Sequence, residues 1–489
     1  MRRERRRRFH TAGWLAVAAS AIVGGVGVAD ADGNADAASV SDTASIADAS
    51  MTSDAESSAD AATTAGATST ADVTSNAGPT GPLTLDDALS WALSRDPGLE
   101  ALRLEASAVE AEAIGLDVRP NPELGLELEN FAGSGGAHGL GGAEATLSLS
   151  QPIERGGKRS KRRAVGDHET NLALLDYGIA RAERAAATKT SFIAALAARE
   201  QVALSEELVQ VAEEMLASIS RRVQAGSSSR IEESRARVEL EISRIDLEEA
   251  RREYEAARTR LASNWGGPVT PASFQVVGSL ESVAPLPDLE ELVAGLDRSP
   301  MLMRWDAEAE RRQAVLELER AMARADLTIG SGVRYSADGD DVSLLVGIGM
   351  PLAIFDKNRG AGIAAERRIE SVAAERAAER NHAATQLAER HHDLAATYRE
   401  MDALSERALP EADAAFSAAR EAFLRGAVRL TDVLDSERLL FELRSRHVAV
   451  AAAYQTAYTE IQRLLGAPVD RELGAEGGQP AGNGMGGTR

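Results

Sequence analysis

The segment LSRDPGLEALRLEASAVEAEA, residues 93–113, aligns with LDRSPMLMRWDAEAERRQAVL, residues 296–316, so that Pro97 falls on Pro300. In the same way, QPIERGGKR from Gln151 aligns with MPLAIFDKNR from Met350. Later landmarks coincide at an offset of 200 residues: Gly226 with Gly426, Tyr254 with Tyr454, Gly266 with Gly466, and Pro268 with Pro468. These spaced matches predict an internal tandem duplication, with repeat 1 over residues 83–283 and repeat 2 over residues 284–470.

Each repeat contains two short segments in which apolar and polar residues alternate. In repeat 1 they are residues 123–129 (ELGLELE) and 143–151, joined by the Gly-rich loop GSGGAHGLGG. In repeat 2 they are residues 327–335 and 342–350, joined by SADGDD. A period of two places apolar side chains on one face of a strand and polar side chains on the other. This pattern fits an ordinary half-buried hairpin, and it also fits a transmembrane barrel strand.

Two long helices follow each strand pair. Residues 158–224 contain no Pro within a helical pattern, and at ~1.5 Å per residue they predict a rod of about 100 Å. Gly226 and Gly426 then predict the turns at the tips of two helical hairpins, because Gly accepts the left-handed conformation that ends a helix. Pro410 interrupts the long helix of repeat 2, where we expect a kink.

Apolar residues of the returning helices recur every seven positions, which is typical of coiled-coil packing. The residues at this spacing are Ile231, Val238 and Ile245; Leu240, Leu247, Tyr254 and Leu261; and, in repeat 2, Val433, Leu440, His447, Tyr454 and Ile461.

The N-terminal residues predict export. MRRERRRRF is strongly basic, residues 14–28 are apolar, and Ala29-Asp30-Ala31 is a small-x-small cleavage site, which together predict a signal peptide over residues 1–31. The apolar core is shorter than the ~20 residues of a spanning helix, so a retained anchor is the less favoured alternative. Residues 32–82, which are almost entirely Ala, Ser, Thr, Asp and Gly, predict a disordered linker, and residues 471–489 a disordered tail.

The composition excludes several classes of protein. Only 4% of the 489 residues are aromatic, and the formal net charge is −22, so neither thick globular cores nor nucleic-acid binding is expected. The chain has no Cys, which excludes disulfides, thiol catalysis and the lipid-modified Cys of a lipoprotein. After the signal peptide no apolar stretch reaches the length of a spanning helix, so any membrane-embedded part must be a barrel.

The seven His residues do not form a metal site. Only His391 and His392 adjoin, and neighbours on a helix point about 100° apart, while His447 lies in the seven-residue stripe and is expected to pack there. No His, Asp or Glu cluster has tetrahedral ligand spacing, and there is no phosphate-binding loop, nucleophile elbow or catalytic triad. We therefore expect no enzymatic activity, no catalytic residue, no cofactor and no bound metal.

These patterns together predict a mostly α fold with a small β part. The long coiled-coil α-hairpins would form a tunnel, and two strand pairs per chain would contribute to a transmembrane β-barrel. Four strands cannot close a barrel, and open strand edges are not tolerated in lipid, so the chain must form an oligomer. The residues leave a dimer and a trimer open.

Over residues 83–470 this arrangement resembles the TolC-like outer-membrane efflux factors. RPNPELGLELENF from Arg119, followed by TLSLSQPIERGGKR from Thr146, is similar to the heavy-metal efflux branch typified by CzcC. The resemblance implies a homotrimer in the lipid of the outer membrane, with its helices extending into the periplasm. It also implies a periplasmic adaptor (membrane fusion) protein and a proton-driven inner-membrane efflux pump, with passive conduction through the channel.

The resemblance assigns expected roles to individual residues. In FLRGAVRLTDVLDSE, from Phe423, Gly426 matches the turn Gly of the family's tip motif, and Asp432 and Asp435 match the acidic pair at the periplasmic constriction. An i, i+3 spacing places both carboxylates on one helix face, although a solvated coiled-coil face is the alternative. Phe423 and Val428 stand where some members carry polar gate-latching residues, and Glu232 and Arg235 occupy the acidic positions in repeat 1, so any acidic ring comes from repeat 2.

The other expected sites follow from the same resemblance. Gly226 and Gly426 would mark the tips that dock the adaptor, and the polar faces of the strands would line the barrel lumen. The lumen residues predicted in repeat 1 are Glu123, Glu127, Glu129 and Glu144.

Three other functions remain open at this point. A duct for multidrug efflux or type I protein secretion would have the same architecture as a duct for heavy-metal cations. A periplasmic coiled-coil adaptor is a different class, but it should contain one hairpin rather than two in tandem. A filamentous coiled-coil protein would leave the four strands unexplained.

Overall fold

The computed structural model describes residues 78–135, 139–266, 273–281 and 286–466. Within these ranges the chain is mostly helical with a small sheet component, as the sequence predicts. The predicted signal peptide, the predicted C-terminal tail and residues 32–77 of the predicted linker lie outside the described residues.

The N-terminal half places two helices before a strand pair and two long helices after it. Its elements are β1 (Gly81–Leu83), α1 (Leu85–Arg95), α2 (Pro97–Leu116), β2 (Glu123–Glu129), β3 (Glu144–Ile153), α3 (Lys158–Gln224), α4 (Arg230–Ala262) and β4 (Phe274–Val276).

The C-terminal half has the same order of long helices and strands. Its elements are α5 (Leu289–Gly295), α6 (Pro300–Met322), β5 (Leu327–Ser336), β6 (Asp341–Gly349), α7 (Arg359–Ala403), α8 (Leu409–Leu424) and α9 (Leu430–Leu465).

The aligned prolines begin equivalent helices in the two halves. Pro97 and Pro300 are the first residues of α2 and α6, a position where the missing N–H of Pro costs nothing. Asp96 and Ser299 cap these helices by accepting hydrogen bonds from the main-chain N–H groups of Gly98 and Leu302, respectively. Each proline also lies against the glycine that ends the returning helix of its own half. An added Cβ at Gly466 would come within 2.1 Å of Pro300, and one at Gly266 within 3.5 Å of Pro97.

The four longer strands form one antiparallel sheet in the order β2-β3-β5-β6. The central pairing joins the two halves of the chain, with Leu147 opposite Val333 and Thr146 opposite Arg334. In the part of the chain that the structure describes, β2 and β6 each pair on one side only. The sheet therefore has two edges at which backbone groups have no neighbouring strand.

A second, two-stranded sheet was not predicted. Residues Gly81–Leu83 pair in parallel with Phe274–Val276, and Leu83, Phe274 and Val276 are buried in a cluster with α1, α3 and the end of α4. The predicted linker over residues 32–82 is therefore wrong at its C-terminal end, because Gly81 and Pro82 belong to a strand. A three-residue strand carries too little alternation to be recognised from its own sequence.

The helix interruption expected at Pro410 is present. Helix α7 ends at Ala403, a single π-helical turn spans Leu404–Ala408, and Pro410 is the second residue of α8. Because Pro lacks an N–H and its ring displaces the carbonyl of the preceding turn, the regular hydrogen-bond ladder is replaced there by the wider turn.

The seven-residue stripes have different environments. Leu240, Leu247 and Leu261 of α4 are buried, as are Val433, Leu440, Tyr454 and Ile461 of α9. The stripe Ile231, Val238 and Ile245, in contrast, is exposed on the single chain, with Ile231 68% exposed. The predicted packing of that stripe is therefore not made by the residues that the structure describes.

Among the described residues, no helix combines the length and the apolar character needed to cross a membrane.

Candidate functional site

The two predicted helical turns are built in the same way. Gly226 and Gly426 follow α3 and α8 with φ of +73° and +77°, a left-handed conformation that a residue with a Cβ adopts only at a cost. In the first turn the N–H of Gly226 donates to the carbonyl of Val223, and the N–H of Ser227 to that of Arg222. The second turn repeats these hydrogen bonds. We call the part of the molecule that contains both turns the turn end.

An apolar cluster shared by the two hairpins holds the two turns at the same end of the helical region. The cluster, here called the turn-end cluster, is formed by residues of α3, α4, α8 and α9: Met215, Ile219, Ala236, Ala412, Phe416, Phe423, Leu430, Val433, Leu434 and Leu440. Because its members come from both hairpins, the structure brings Gly226 and Gly426 to the same end of the helical region.

Asp432 stabilises the start of α9. Its Oδ2 accepts a hydrogen bond of 3.0 Å from the main-chain N–H of Arg429, and its Oδ1 lies 3.4 Å from the Arg429 guanidinium. Glu232 makes the equivalent 3.0 Å contact with the N–H of Ser229 at the start of α4. A carboxylate at this position satisfies an N–H that the helix leaves unpaired, so Asp432 has a structural role whatever else it does.

Asp435 lies one turn further along α9 and is exposed. It lines a groove of about 440 Å³ between α4 and α9, whose apolar surface includes Ile231, Val238 and Leu434. Arg235, the residue of the N-terminal half that corresponds to Asp435, lines the same groove. Asp432 and Asp435 therefore share the start of α9, and Arg235 rather than an acidic residue lies across the groove from Asp435.

All four predicted lumen residues lie on one face of the four-stranded sheet. Glu123, Glu127 and Glu129 alternate along β2, and Glu144 stands opposite Glu129 on β3. The remaining residues of this polar face are small or polar, with Pro152 and Leu345 as the exceptions: Gly125, Thr146, Ser148, Ser150, Thr328, Gly330, Gly332, Arg334, Ser336, Asp341, Ser343, Gly347 and Gly349.

Arg334 connects three strands on this polar face. Its Nη1 donates to Glu144 at 3.0 Å, its Nη2 to Glu129 at 3.3 Å, and its Nε to Thr146 Oγ1 at 3.0 Å. Two carboxylates that face each other across β2 and β3 would repel, and the guanidinium between them offsets that repulsion. The sequence reasoning missed Arg334, although its place among the polar positions of β5 was a usable signal.

The opposite face of the sheet is apolar and open. Leu344 is 83% exposed, and its neighbours on this face are exposed as well. These exposed residues are Leu124, Leu126, Leu128, Leu147, Leu149, Ile329, Val333, Val342, Val346 and Ile348. An apolar surface of this extent marks a contact with another protein or a membrane.

Among the described residues no group of three or more His, Asp and Glu side chains is placed to hold a metal ion. His391 contacts the carbonyl oxygen of Pro287 at 2.9 Å, and His382 contacts Gln386.

The sequence model of the family described as "Outer membrane efflux protein" matches residues 88–267 and again residues 293–467. The cobalt-zinc-cadmium resistance protein CzcC of Cupriavidus metallidurans is 32% identical over 386 residues, which cover 79% of this chain and 90% of CzcC. The nickel and cobalt resistance protein CnrC of the same organism is 32% identical over 307 residues, covering 61% of this chain and 72% of CnrC.

Solved structures show the same fold. Crystal structures of CusC, which describe conformational changes during folding and transmembrane channel formation, match with a TM-score of 0.64 at 18% identity. The match covers 78% of this chain and 92% of the CusC chain.

Proposed function

Because the chain belongs to the outer membrane efflux protein family, we propose that it is the outer-membrane channel of a tripartite efflux system. It conducts substrate passively from a periplasmic adaptor and a proton-driven inner-membrane pump to the exterior. Residues 1–31 direct its export, and it lies in the outer membrane and extends into the periplasm. The observation that carries the proposal is the sheet with one polar face, one exposed apolar face and two unpaired edges.

The sheet has the properties of one section of a barrel wall. Strands in lipid must pair all their backbone groups, so β2 of one chain would pair with β6 of the next. The apolar face that contains Leu344 would contact lipid, and the polar face that contains Glu123, Glu127, Glu129 and Glu144 would line the lumen. A homotrimer, as the family resemblance implies, supplies the neighbouring strands.

The helices would form the periplasmic tunnel of the same trimer. The exposed stripe Ile231, Val238 and Ile245 recurs at coiled-coil spacing, and a neighbouring copy would cover it. The duplication would place two hairpins of each chain around one axis, with Gly226 and Gly426 at the tips that dock the adaptor. Asp432 and Asp435 of the three copies would surround the narrow end.

Heavy-metal cations are the proposed substrate. The relatives CzcC and CnrC are named for resistance to cobalt, zinc, cadmium and nickel. The acidic residues on the polar face of the sheet and at the start of α9 would attract cations along the path. The channel itself needs no cofactor, because the pump supplies the energy.

The barrel is tested by placing the same charge on either face of β6. Leu344→Arg should prevent recovery of a detergent-extracted trimer from the outer-membrane fraction, because a charge facing lipid costs about 2–4 kcal/mol. Ser343→Arg changes the adjacent residue, which shares the polar face with Arg334, and should leave the trimer intact. Recovery of the unaltered protein as a soluble periplasmic monomer would exclude the barrel.

The substrate is tested in a strain that lacks this gene. Growth should become sensitive to cobalt, zinc, cadmium or nickel salts and should be restored by the unaltered gene. Sensitivity to organic drugs alone, or loss of a secreted protein alone, would favour multidrug efflux or type I secretion instead.

A further inference from the structure

Glu437 is a carboxylic acid buried inside the turn-end cluster. It lies on the same face of α9 as Val433, Leu434 and Leu440, at the i±3 and i±4 positions that adjoin on a helix. The residue is only 2% exposed on the single chain. Neighbouring copies in an oligomer are therefore not required to bury it.

Neither carboxyl oxygen of Glu437 has a hydrogen-bond partner among the residues that the structure describes. An ionised carboxylate without partners in an apolar interior is strongly disfavoured, and such a group becomes neutral by taking up a proton. The packed arrangement of α9 therefore favours the neutral form of this side chain.

The nearby arginines are paired with other carboxylates. Arg438, next to Glu437 on α9, donates through Nη2 to Glu239 of α4 at 2.5 Å. Arg420 of α8 donates to Glu214 of α3 at 2.8 Å.

These neighbours do not remove the effect of burial. The negative charge of Glu239 disfavours a second negative charge beside it. Burial, reinforced by Glu239 and only partly opposed by the two arginines, raises the pKa of Glu437 to about 7.

We propose that Glu437 makes the packing of the turn end depend on protonation. In its neutral form it keeps α9 within the turn-end cluster, and its ionisation releases α9 from α3 and α8. The group that binds here is a proton, and the element that responds is the first part of α9.

The direction of the pH effect follows from the two states. When α9 separates from the cluster, Glu437 meets water and regains its ordinary pKa of 4.5. The packing is therefore most stable below pH 4.5, weakens as the pH rises towards 7, and changes little above 7. Within that window the equilibrium shifts towards the released state by up to roughly tenfold per pH unit.

The consequence for conduction rests on the proposed function. Asp435 and Asp432 precede Glu437 on α9 by two and five residues, so release of α9 would move the carboxylates proposed to surround the narrow end. The channel would then open more readily at neutral pH than in an acidified periplasm.

Hydrogen–deuterium exchange of the purified full-length protein in detergent tests the proposal. After correction for intrinsic exchange rates, the protection of α9 amides in residues 434–441 should fall at least tenfold between pH 5 and pH 7. Above pH 7 the protection of these amides should change little. Glu437→Gln, which has the same shape but cannot ionise, should show less than a twofold change over this range. Glu442→Gln, which changes an exposed residue of the same helix, should behave like the unaltered protein.

A second variant separates titration from damage to the cluster. Glu437→Leu fills a similar volume without a polar group, and its protection should also be independent of pH. The proposal is overturned if the unaltered protein shows constant protection from pH 5 to pH 7, or if both Glu437 variants retain its pH dependence. Because exchange does not require conduction, a channel that fails to conduct in a bilayer would contradict the proposed function without affecting this result.

Discussion

Arg222, near the end of α3, crosses to the other hairpin and donates a hydrogen bond of 2.6 Å to the carbonyl oxygen of Phe423 at the end of α8. Its guanidinium also lies 4.7 Å from the centre of the Phe423 ring. The carbonyl of Phe423 additionally accepts from the N–H of Gly426. One side chain of the first half therefore connects directly to the turn of the second half.

Replacing Arg222 with Ala should weaken this connection. The loss of a charged hydrogen bond and of a cation–π contact is expected to lower the free energy of unfolding by about 2 kcal/mol. Arg221→Ala is the matched control, because Arg221 is exposed and donates to the carbonyl of Ala217 in its own helix. Chemical denaturation of the two variants measures the difference, and equal losses of stability would show that the contact with Phe423 contributes nothing.

Gly426→Val should abolish export while leaving the trimer and its membrane insertion intact. A β-branched residue at φ +77° is strained by roughly 1–2 kcal/mol or more, and the strain acts at the turn proposed to dock the adaptor. Gly178→Val is the control, since Gly178 lies within α3 with no atom near its missing Cβ. Export assays and cross-linking to the adaptor provide the measurement. Cross-links that map to the GSGGAHGLGG loop instead would reverse the proposed orientation.

The double variant Asp432→Ala, Asp435→Ala should show weaker cation selectivity and lose blockade by trivalent cations in a planar bilayer. Like charges around one axis attract cations, and their removal eliminates that attraction. Because Asp432 also caps α9, the Asn double variant is needed, since Asn keeps a capping oxygen without the charge.

The two double variants should have the same altered selectivity if charge is responsible. Asp402→Ala, which removes an exposed carboxylate at the end of α7, should leave selectivity unchanged. Unaltered selectivity and blockade in both double variants would show that the two residues form only a solvated helix face.

Glu308→Ala should lower the free energy of unfolding by about 2 kcal/mol, because Arg311 and Arg312 lose the carboxylate between them. Arg311 keeps its hydrogen bond to Glu169, and Arg312 keeps its hydrogen bond to the carbonyl of Arg368. Glu308 is buried in α6, and it accepts hydrogen bonds from both guanidinium groups at 2.6–3.0 Å. Glu310→Ala, at an exposed position of the same helix, should change the free energy of unfolding by less than about 0.5 kcal/mol.

The same carboxylate predicts a pH dependence. Burial alone would raise the pKa of Glu308, but the hydrogen bonds from Arg311 and Arg312 outweigh burial and hold this pKa below its usual value of 4.5. The stability that the Glu308 carboxylate contributes is therefore present above pH 4.5 and is lost as the pH falls through the lowered pKa. Denaturation at pH 7 and at pH 3 should show a smaller loss of stability in Glu308→Ala than in the unaltered protein.

Local patterns were sufficient to predict most of the helices and strands. The helix Lys158–Gln224 and the strand Glu123–Glu129 have the predicted bounds, because helical periodicity and strict alternation are properties of contiguous residues. Pro410 and the two turn glycines act on the backbone at their own positions, so their effects were also predictable. The paired strands Gly81–Leu83 and Phe274–Val276 were not, since neither is long enough to show a pattern and the partner lies in a distant segment.

By itself the sequence determined a mostly helical chain with a small number of alternating strands, because periodicities are recorded in the order of residues. Only the tertiary structure decided that Arg334 bridges Glu129 and Glu144, that Ile231 is exposed, and that Glu437 is buried without a partner. A seven-residue spacing shows which residues share a helix face, but not whether another helix covers that face. The sequence likewise does not distinguish a solvated charged residue from a paired or a buried one, because the environment of the residue depends on atoms contributed by other segments of the chain.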